Sequence, residues 1–526
     1  MHLVVRNEKN IMNYTNHSLY EQINRQANSN NKHLAIRSVT GKGASYGQLI
    51  QQIDQLGRQL SRLGVKSDDR IALVIPNGPE MAIALMAVSS FAISAPLNPR
   101  YKAAEFEFYL GDINARAVIT LKGMANEVRS VAKNLNITVW ELSDFGPHDG
   151  FELVLNDNTN SNGSELLRPT QNDQLALLLH TSGTTSRPKI VPLSQKNICA
   201  SASHIITALQ LTSRDSCLNV MPLFHIHGFM AALVSTLVSG GTVICSPGLN
   251  ENPLFIAKFF PTLEQFKPTW YTAVPTMHQA ILLQADRHPE IASNNSLRLI
   301  RSSSASLAPS VMKSLESKLG SVVVESYGMT EAAHQMASNP LTPGAQKPGS
   351  VGIPSGPEIS IMNELGEAVK FGEAGEICIR GPNIISAYEA NPTANMTSFF
   401  SDWFRTGDQG RFDEDGYLYI TGRLKELINR GGEKISPREI DEILLAHPSV
   451  AQAVAFAAPH PTLEEVVAAA VVPRDKNEFS SEELRKFVQQ RIAAYKVPSQ
   501  IVVVDEIPKG PTGKIQRIGL ADKLLN

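Results

Sequence analysis

Short runs of apolar residues alternate with longer helical patterns along most of this chain, and that alternation restricts the folds it can adopt. The runs RIALVI (70–75), AVIT (117–120) and LALLLH (175–180) have the length and composition of buried strands. A helical pattern, SYGQLIQQIDQLGRQLSRLG, precedes the first of these runs. Strands that alternate with helices predict an α/β protein with substantially parallel sheets.

The length of the chain and a change of texture near its end predict two domains. A single hydrophobic core stops growing near roughly 250–300 residues, whereas this chain has 526. From residue 423 onward the pattern predicts a turn, a Gly-Gly hairpin, a helix that begins near Ser436–Pro437, two strands (451–459 and 465–473) and an amphipathic helix (482–492). We therefore predict a large N-terminal domain with several sheets (1–422), a hinge (423–425) and a small α+β C-terminal domain (426–526).

Composition argues against several classes of protein. Lys+Arg is 48 and Asp+Glu is 50, a balance that does not favour a nucleic-acid partner. The four cysteines are scattered without a C-x-x-C pair, so neither a zinc site nor a disulfide framework is expected, and a reducing compartment is the simpler interpretation. The apolar stretch Met81–Leu97 is short for a membrane span and is interpreted as a buried helix.

The two ends of the sequence give an expectation about location. The first residues contain no long apolar segment of the kind found in signal peptides. The last residues do not read Ser-Lys-Leu, the peroxisomal address. A cytoplasmic location is expected, with peroxisomal import through a partner left open, and the oligomeric state is also left open.

A cluster of small hydroxyl residues around one glycine, TSGTTSRPK (181–189), has the chemistry of a phosphate-binding loop. Backbone N–H groups and hydroxyls in such a loop can close around phosphate oxygens, and the terminal Lys189 adds a positive charge. The segment is not a Walker A loop, because G-x-x-x-x-G-K-[ST] is absent. Taken alone, it also fits a Ser/Thr-rich surface turn.

Five blocks in a fixed order resemble the acyl-adenylate-forming superfamily, which includes acyl-CoA synthetases, luciferases and the adenylation domains of peptide synthetases. The blocks are TSGTTSRPK (181–189), YGMTE (327–331), WFRTGD (403–408), TGRLKELINRGGEKISP (421–437) and PTGKIQR (511–517). The resemblance runs from Ser45 to the end of the chain. It implies an acid–CoA ligase that uses ATP and Mg²⁺ to make an acyl-adenylate and then transfers the acyl group to coenzyme A. Free coenzyme A is the expected acceptor, because no carrier domain follows the last block.

The resemblance also implies a role for individual residues of the nucleotide site. Tyr327 would lie along the adenine ring, and Asp408 with Arg423 would hold the ribose. Glu331 would bind Mg²⁺, and Lys514 would bridge the acid's carboxylate and the phosphates in the adenylation step. Thr330 would bond the α-phosphate and, with Glu331 and Lys514, would be catalytic. The remaining ATP-binding or AMP-binding residues implied by the resemblance are Thr181, Ser182, Gly183, Thr184, Thr185, Lys189 and Gly328, with Ser304 from the segment RSSSASLAP.

The C-terminal domain is expected to move between the two half-reactions. Lys425 matches the hinge position of the superfamily, and a rotation there would swing Lys514 away from the adenylate. The same rotation would bring Gly431 and Gly432 to the adenylate, where glycines leave room for the narrow arm of coenzyme A. Such a lid-type step often limits turnover.

Three polar residues are expected to line the acid pocket: His227 in MPLFHIHG, Ser304 in RSSSASLAP and His334 in TEAAHQMASNP. An apolar tail would strip water from these groups without replacing it, so a short acid with a second polar end fits better. These segments, with LLLHTSGTTSRPK, are similar to the oxalate–CoA ligases of plants and fungi, and oxalate is the favoured acid. A medium-chain fatty acyl-CoA synthetase, a coumarate-type aryl-CoA ligase and a catalytically inert adenylate-binding scaffold remain as alternatives. His225 and His278 are interpreted as core residues.

Overall fold

The computed structural model describes residues 17–124, 126–144, 146–147, 150–156, 167–181, 188–249, 252–342, 345–508, 515 and 517–525. The strands are, in chain order, β1 (Leu34–Ser38), β2 (Gly43–Ser45), β3 (Arg70–Val74), β4 (Ile93–Pro96), β5 (Ala117–Leu121), β6 (Thr138–Asp144), β7 (Leu153–Asn156), β8 (Leu175–His180), β9 (Ile190–Ser194), β10 (Ser216–Asn219), β11 (Thr242–Cys245), β12 (Trp270–Ala273), β13 (Leu299–Ser302), β14 (Val322–Met329), β15 (His334–Ser338), β16 (Ile353–Pro354), β17 (Glu358–Met362), β18 (Gly375–Arg380), β19 (Phe399–Phe400), β20 (Trp403–Phe412), β21 (Leu418–Arg423), β22 (Ile428–Arg430), β23 (Glu433–Ile435), β24 (Val450–His460), β25 (Glu464–Pro473) and β26 (Gln500–Val503). The α-helices are α1 (Leu19–Ser29), α2 (Tyr46–Arg62), α3 (Pro79–Phe91), α4 (Ala103–Asp112), α5 (Asn126–Asn134), α6 (Gln195–Leu209), α7 (Ser235–Val238), α8 (Phe259–Phe266), α9 (Pro275–Ala285), α10 (Pro289–Ser293), α11 (Pro309–Leu319), α12 (Pro392–Thr397), α13 (Pro437–Leu445), α14 (Ser481–Gln489) and α15 (Leu520–Leu524).

Two large sheets with parallel centres form the main body of the protein. The seven-stranded sheet has the order β7-β6-β5-β3-β4-β8-β9, and the nine-stranded sheet has the order β16-β15-β14-β13-β12-β10-β11-β1-β2. Antiparallel strands occur only at the edges of both described sheets. Parallel strands are covered on both faces and therefore read as continuous apolar runs. The predicted α/β architecture is confirmed, and the runs at 70, 117 and 175 are β3, β5 and β8.

The apolar stretch Met81–Leu97 is a helix followed by a strand, so its interpretation as a single buried helix is wrong beyond Phe91. Helix α3 ends there, Ala92 is extended, and β4 then pairs in parallel with β3. Both elements are buried on all sides, so neither shows an exposed polar face that would separate them in the sequence. In the described part of the chain, no helix has both the length and the apolar character to cross a membrane.

Two smaller sheets follow in the C-terminal third of the chain. One has the order β17-β18-β20-β19, with β21 paired to β20, and the other has the order β23-β22-β25-β24, with β26 paired to β25. Sheet membership therefore changes between Arg423 and Ile428, across a 3₁₀ turn (Leu424–Glu426). In this arrangement Arg438 Nη1 donates to the carbonyl of Ile420 at 2.6 Å. The domain limits and the hinge at 423–425 stay predictions.

Candidate functional site

The candidate site lies at the carboxyl edge of the nine-stranded sheet. Thr272 of β12 is aligned with Arg301 of β13, which is aligned in turn with Val324 of β14. Because these strands are parallel, the segments that follow them emerge at one edge, the usual position of ligand sites in such sheets. The predicted Ser304 follows β13, Tyr327 lies near the carboxyl end of β14, and His334 begins the next strand, β15.

The three residues predicted to hold adenosine are brought together. The hydroxyl of Tyr327 donates to Asp408 Oδ2 at 2.5 Å, and Arg423 Nε donates to Asp408 Oδ1 at 2.9 Å. Asp408 and Arg423 face each other across β20 and β21. The charge of Asp408 raises the pKa of Arg423, and burial raises the pKa of Tyr327 well above its usual value. Each oxygen of the Asp408 carboxylate has a further lone pair with which it could accept from a ribose hydroxyl.

Gly328 is placed where no side chain would fit. A Cβ at this position would lie 1.6 Å from the carbonyl oxygen of His334. The pairing of β14 with β15 shifts register between Tyr327 and Gly328, which lets the two backbones approach. Through this backbone contact, the glycine connects Tyr327, predicted to bind the nucleotide, to His334, predicted to bind the acid.

Glu331, the predicted metal ligand, lies in a 3₁₀ turn with Thr330 and is held from one side. The Tyr388 hydroxyl donates to Glu331 Oε1 at 2.7 Å, and Lys189 Nζ lies 4.3 Å from the centroid of the Tyr388 ring. Burial lowers the pKa of Lys189, and the charge of Glu331 opposes that shift. Glu331 Oε2 accepts no hydrogen bond from any side chain that the structure describes. One carboxylate oxygen beside a phosphate site fits Mg²⁺, which commonly binds through one carboxylate and substrate phosphates.

The ends of the predicted phosphate loop are held together. Thr181 N donates to the carbonyl of Lys189 at 3.0 Å, and β8 and β9 pair on either side of the loop. Ser182, Gly183, Thr184 and Thr185 lie outside the described residues, and so does the predicted catalytic Lys514. Their roles stay predictions.

The three predicted acid-binding residues form one hydrogen-bonded group. Ser304 Oγ lies 3.0 Å from His227 Nδ1, and the rings of His227 and His334 stack with centroids 4.8 Å apart. His227 Nε2 also lies 2.6 Å from Thr272 Oγ1. His227 starts a π-helical segment (His227–Val234), a geometry often found at functional sites. Ser304 therefore lies in contact with His227, another predicted acid-binding residue.

Arg301 completes this group and was not predicted. Its Nη1 donates to His334 Nε2 at 3.0 Å and lies 3.4 Å from His227 Nε2, and its Nη2 donates to Gln335 Oε1 at 2.9 Å. A guanidinium can only donate, so we assign the His334 proton to Nδ1. Two signals were present in the sequence: Arg301 ends an apolar strand, LIRS, and begins RSSSASLAP, the segment assigned to the acid pocket through Ser304.

The charge of Arg301 is buried with no carboxylate paired to it in the part of the chain that the structure describes. The side chain is fully buried, its Nε has no hydrogen-bond partner, and no carboxylate of the described residues forms an ion pair with it. Burial lowers the pKa of Arg301 to about 9. Removal of a cation from water costs on the order of several kcal/mol unless an anion faces it. The arrangement is therefore suited to bind an anionic group.

Two of the acid-binding residues have unusual backbone conformations. Ser304 has φ of 72° and His334 has φ of 92°, in the left-handed region that non-glycine residues rarely adopt. Each such residue costs about 1–3 kcal/mol and tends to occur where function requires it. His278, by contrast, is a core residue as predicted: it contacts the Tyr271 hydroxyl, and burial lowers its pKa to about 4.

The predicted coenzyme A residues lie in a hairpin next to a basic cavity. Gly431 and Gly432 connect β22 to β23 with positive φ values of 59° and 96°. A cavity of about 350 Å³ adjoins the hairpin and is lined by Arg430, Arg485 and Tyr495, among others. Neither arginine forms an ion pair within the described ranges. Lys425 interacts electrostatically with Lys189, which places the predicted hinge near the phosphate loop.

Comparison with known proteins gives a consistent set of matches. A family model described as AMP-binding enzyme matches residues 23–389, and one described as AMP-binding enzyme C-terminal domain matches residues 439–514. An oxalate–CoA ligase of Arabidopsis thaliana is 44% identical over 495 residues, which cover 93% of this chain and 95% of that protein. An oxalate–CoA ligase of Saccharomyces cerevisiae is 38% identical, with 86% of each chain covered. The crystal structure of ATP-bound MatB from Rhodopseudomonas palustris has a TM-score of 0.84 at 26% identity and covers 97% of this chain and 99% of that chain.

Proposed function

The chain belongs to the AMP-binding enzyme family and is an AMP-forming acid–CoA ligase, and we propose that the acid it activates is oxalate. The observation that carries the proposal is the buried charge of Arg301, which pairs with no carboxylate among the described residues. Oxalate is the shortest acid with a second carboxylate. One carboxylate would react with ATP while the other accepts from Arg301. The similarity to two oxalate–CoA ligases supports the same choice.

The neighbours of Arg301 suit a carboxylate that carries no attached chain. His227, which Ser304 contacts, lies beside the guanidinium, and His334 and Gln335 accept from its two terminal nitrogens. These polar groups surround the distal end of the acid, so an alkyl or aryl tail would displace their hydrogen bonds. A medium-chain fatty acid or a coumarate-type acid would also leave the charge of Arg301 without an anion.

In the first half-reaction, a carboxylate oxygen of oxalate attacks the α-phosphorus of ATP, and pyrophosphate leaves. Tyr327, Asp408 and Arg423 would hold the adenosine, and Thr330 would bond the α-phosphate. Glu331, positioned by Tyr388, would hold Mg²⁺, which supplies positive charge for the phosphate oxygens. Lys189 and Lys514 would offset the repulsion between the attacking carboxylate and the phosphates.

In the second half-reaction, the thiol of coenzyme A attacks the carbonyl carbon of the oxalyl-adenylate, and AMP leaves with its pair of electrons. Gly431 and Gly432 would line the path of the pantetheine arm after rotation about residues 423–425. Arg430 and Arg485 in the adjoining cavity are suited to the phosphates of the nucleotide end.

The test is AMP release with ATP, Mg²⁺ and coenzyme A against oxalate, malonate, acetate, butyrate, octanoate and coumarate. Oxalate is expected to have the highest kcat/KM, with acetate far below it because acetate has no group for Arg301. A preference for octanoate or coumarate would overturn oxalate while leaving the ligase assignment intact. Absence of AMP and pyrophosphate release with every acid would favour the inert scaffold.

A further inference from the structure

A second cavity lies behind the acid-binding group. It measures about 280 Å³ and is bounded by α6, the end of β15 and the residues that follow β16. Its walls include His204 and Ala208 of α6, Asn339 and Ser355. The polar residues of the acid group do not line this cavity.

The side chain of Gln335 spans the distance between Arg301 and this cavity. Its Oε1 accepts from Arg301 Nη2 at 2.9 Å, and its Nε2 donates to Ser355 Oγ, in the cavity wall, at 3.2 Å. Gln335 is only 1% exposed. One amide side chain therefore contacts the anion receptor at one end and the cavity wall at the other.

Helix α6 shows that the cavity continues away from Gln335. Ser201 Oγ accepts from Gln335 N at 3.2 Å, which fixes Gln335 against the helix. His204 and Ala208 follow three and seven positions later, on the same helix face. At about 1.5 Å per residue, they lie about one and two helical turns beyond Ser201, so the cavity extends along α6. Gln335 does not line the cavity itself but contacts its wall through Ser355.

The walls of the cavity suit an uncharged chain. No Asp, Glu, Lys or Arg lines it among the residues that the structure describes. His204 is the titratable group of the wall, and burial lowers its pKa to about 4, so it is neutral near pH 7. Both ring nitrogens of His204 lack a partner in the described part of the protein, and the ring packs against the backbone of Gly356. A second carboxylate would find no cation there.

We propose that Gln335 is a specificity-determining residue that closes the acid pocket toward the His204 cavity and thereby limits the acid to two carbons. The inference rests on the proposed function and deepens it. When the Gln335 side chain is shortened, the room it leaves between Arg301 and Ser355 connects the acid group to the cavity. The acids that then fit are 2-oxo acids: the carboxylate reacts with ATP, the 2-oxo oxygen accepts from Arg301, and the alkyl tail enters the cavity.

The test compares Gln335→Ala with Gln335→Leu, using oxalate, 2-oxobutyrate and 2-oxohexanoate and measuring pyrophosphate release. Both variants lose the hydrogen bonds to Arg301 and Ser355, but only the alanine variant opens the passage. Gln335→Ala is expected to raise the 2-oxohexanoate-to-oxalate ratio of kcat/KM by about tenfold or more, as pocket size commonly does. Gln335→Leu is expected to leave that ratio near the wild-type value. If Gln335→Ala has a much lower melting temperature than the wild type, Gln335→Ser replaces it in the comparison.

Two further variants decide whether the tail occupies this cavity. Ala208→Phe in the Gln335→Ala background fills the space and should abolish the gain, whereas Gln210→Ala, at the outer end of α6, should preserve it. Equal ratios in the alanine and leucine variants, or a gain that survives Ala208→Phe, would overturn the proposal. If the wild type does not use oxalate, the proposed function fails, but the comparison of the two variants with 2-oxo acids still decides the role of Gln335.

Discussion

Arg301 is the residue of the site that most restricts the ligand, because its buried charge requires an anionic group. We expect Arg301→Met to lower kcat/KM for oxalate by about tenfold to a hundredfold, since a hydrogen bond to a charged group contributes about 1.5–3 kcal/mol. The kcat/KM for butyrate, which has no second carboxylate for Arg301, should fall far less in this variant. The measurement is the oxalate-to-butyrate ratio of kcat/KM from pyrophosphate release. Arg298→Met is the matched control, because Arg298 precedes β13 at the other edge of the sheet and pairs with Asp215 at 2.6 Å. Unchanged oxalate preference in Arg301→Met would remove the basis of the oxalate proposal.

The residues of the site differed in how far the sequence could predict them. His227, Ser304 and His334 belong to blocks that resemble a known superfamily, and the structure places them in one group. Arg301 is separated from His227 by 74 positions and from His334 by 33, so its role depends on contacts that only the folded chain creates. Gln335 belongs to a recognisable block, but its position between Arg301 and the wall of the His204 cavity depends on Ser355, which is twenty residues away.

At the scale of elements, the loop from β13 to α11 holds Ser304 in a strained conformation, with φ of 72°. Ser304→Gly and Ser304→Ala both remove the hydroxyl that contacts His227, but only glycine relieves the strain. We expect the glycine variant to be more stable than the alanine variant by roughly 1 kcal/mol, measured by urea unfolding. Both variants should lose oxalate activity to the same extent, because the loss comes from the hydroxyl.

Glycine and alanine variants of Ser401 provide the control for this comparison. It is an exposed serine with φ of 54°, so Ser401→Gly should again be the more stable by a similar amount over Ser401→Ala. Neither change at Ser401 should alter the turnover of oxalate. A glycine variant of Ser304 that is no more stable than the alanine variant would show that its backbone conformation is not strained.

The elements themselves could be predicted where one physical signal dominated. Strands β3, β5 and β8 lie inside the seven-stranded sheet and are largely buried, so each reads as a short apolar run. Helix α13 begins at Pro437, as the Ser-Pro pair indicates. The boundary between α3 and β4 could not be predicted, because a fully buried helix and a fully buried strand share the same composition.

At the scale of the whole molecule, buried histidines link stability to pH. Burial lowers the pKa of His204 and of His278 to about 4, whereas an unfolded histidine titrates near 6.5. Between these values the unfolded chain binds more protons, so the stability that each neutral histidine contributes is present above about pH 6.5 and is lost as the pH falls toward 4. For two such groups the total loss is on the order of several kcal/mol.

His278→Leu isolates this effect from other titrating groups. Burial raises the pKa of Glu325 to about 7, which changes stability in the opposite direction over an overlapping range. We therefore compare the unfolding free energies of the wild type and His278→Leu by urea titration at pH 7.5, 6 and 5. The difference between them should shift in favour of the variant as the pH falls. A difference that is constant from pH 7.5 to 5 would mean that His278 is not a buried neutral group.

The proposed second half-reaction assigns recognition of coenzyme A to the C-terminal part of the molecule. Arg485 faces the cavity next to the Gly431–Gly432 hairpin, near Arg430 and Tyr495. A guanidinium binds phosphate with charge-assisted hydrogen bonds, and an aromatic ring offers a face to adenine. We expect Arg485→Ala to raise KM for coenzyme A by about tenfold, which corresponds to about 1.4 kcal/mol, while adenylate formation without coenzyme A stays at the wild-type rate.

Dephospho-coenzyme A, which lacks the 3′-phosphate, identifies the group that Arg485 contacts. If Arg485 binds that phosphate, the wild type should already have a raised KM for the dephospho compound, and Arg485→Ala should raise it no further. Arg491→Ala is the control, because Arg491 stacks on Phe487 with 3.5 Å between its guanidinium carbon and the ring centroid and does not line the cavity. An equal rise in KM for both thiols would place Arg485 against another part of coenzyme A. An unchanged KM for both would separate this cavity from the acceptor and leave the glycine hairpin as the remaining candidate for its path.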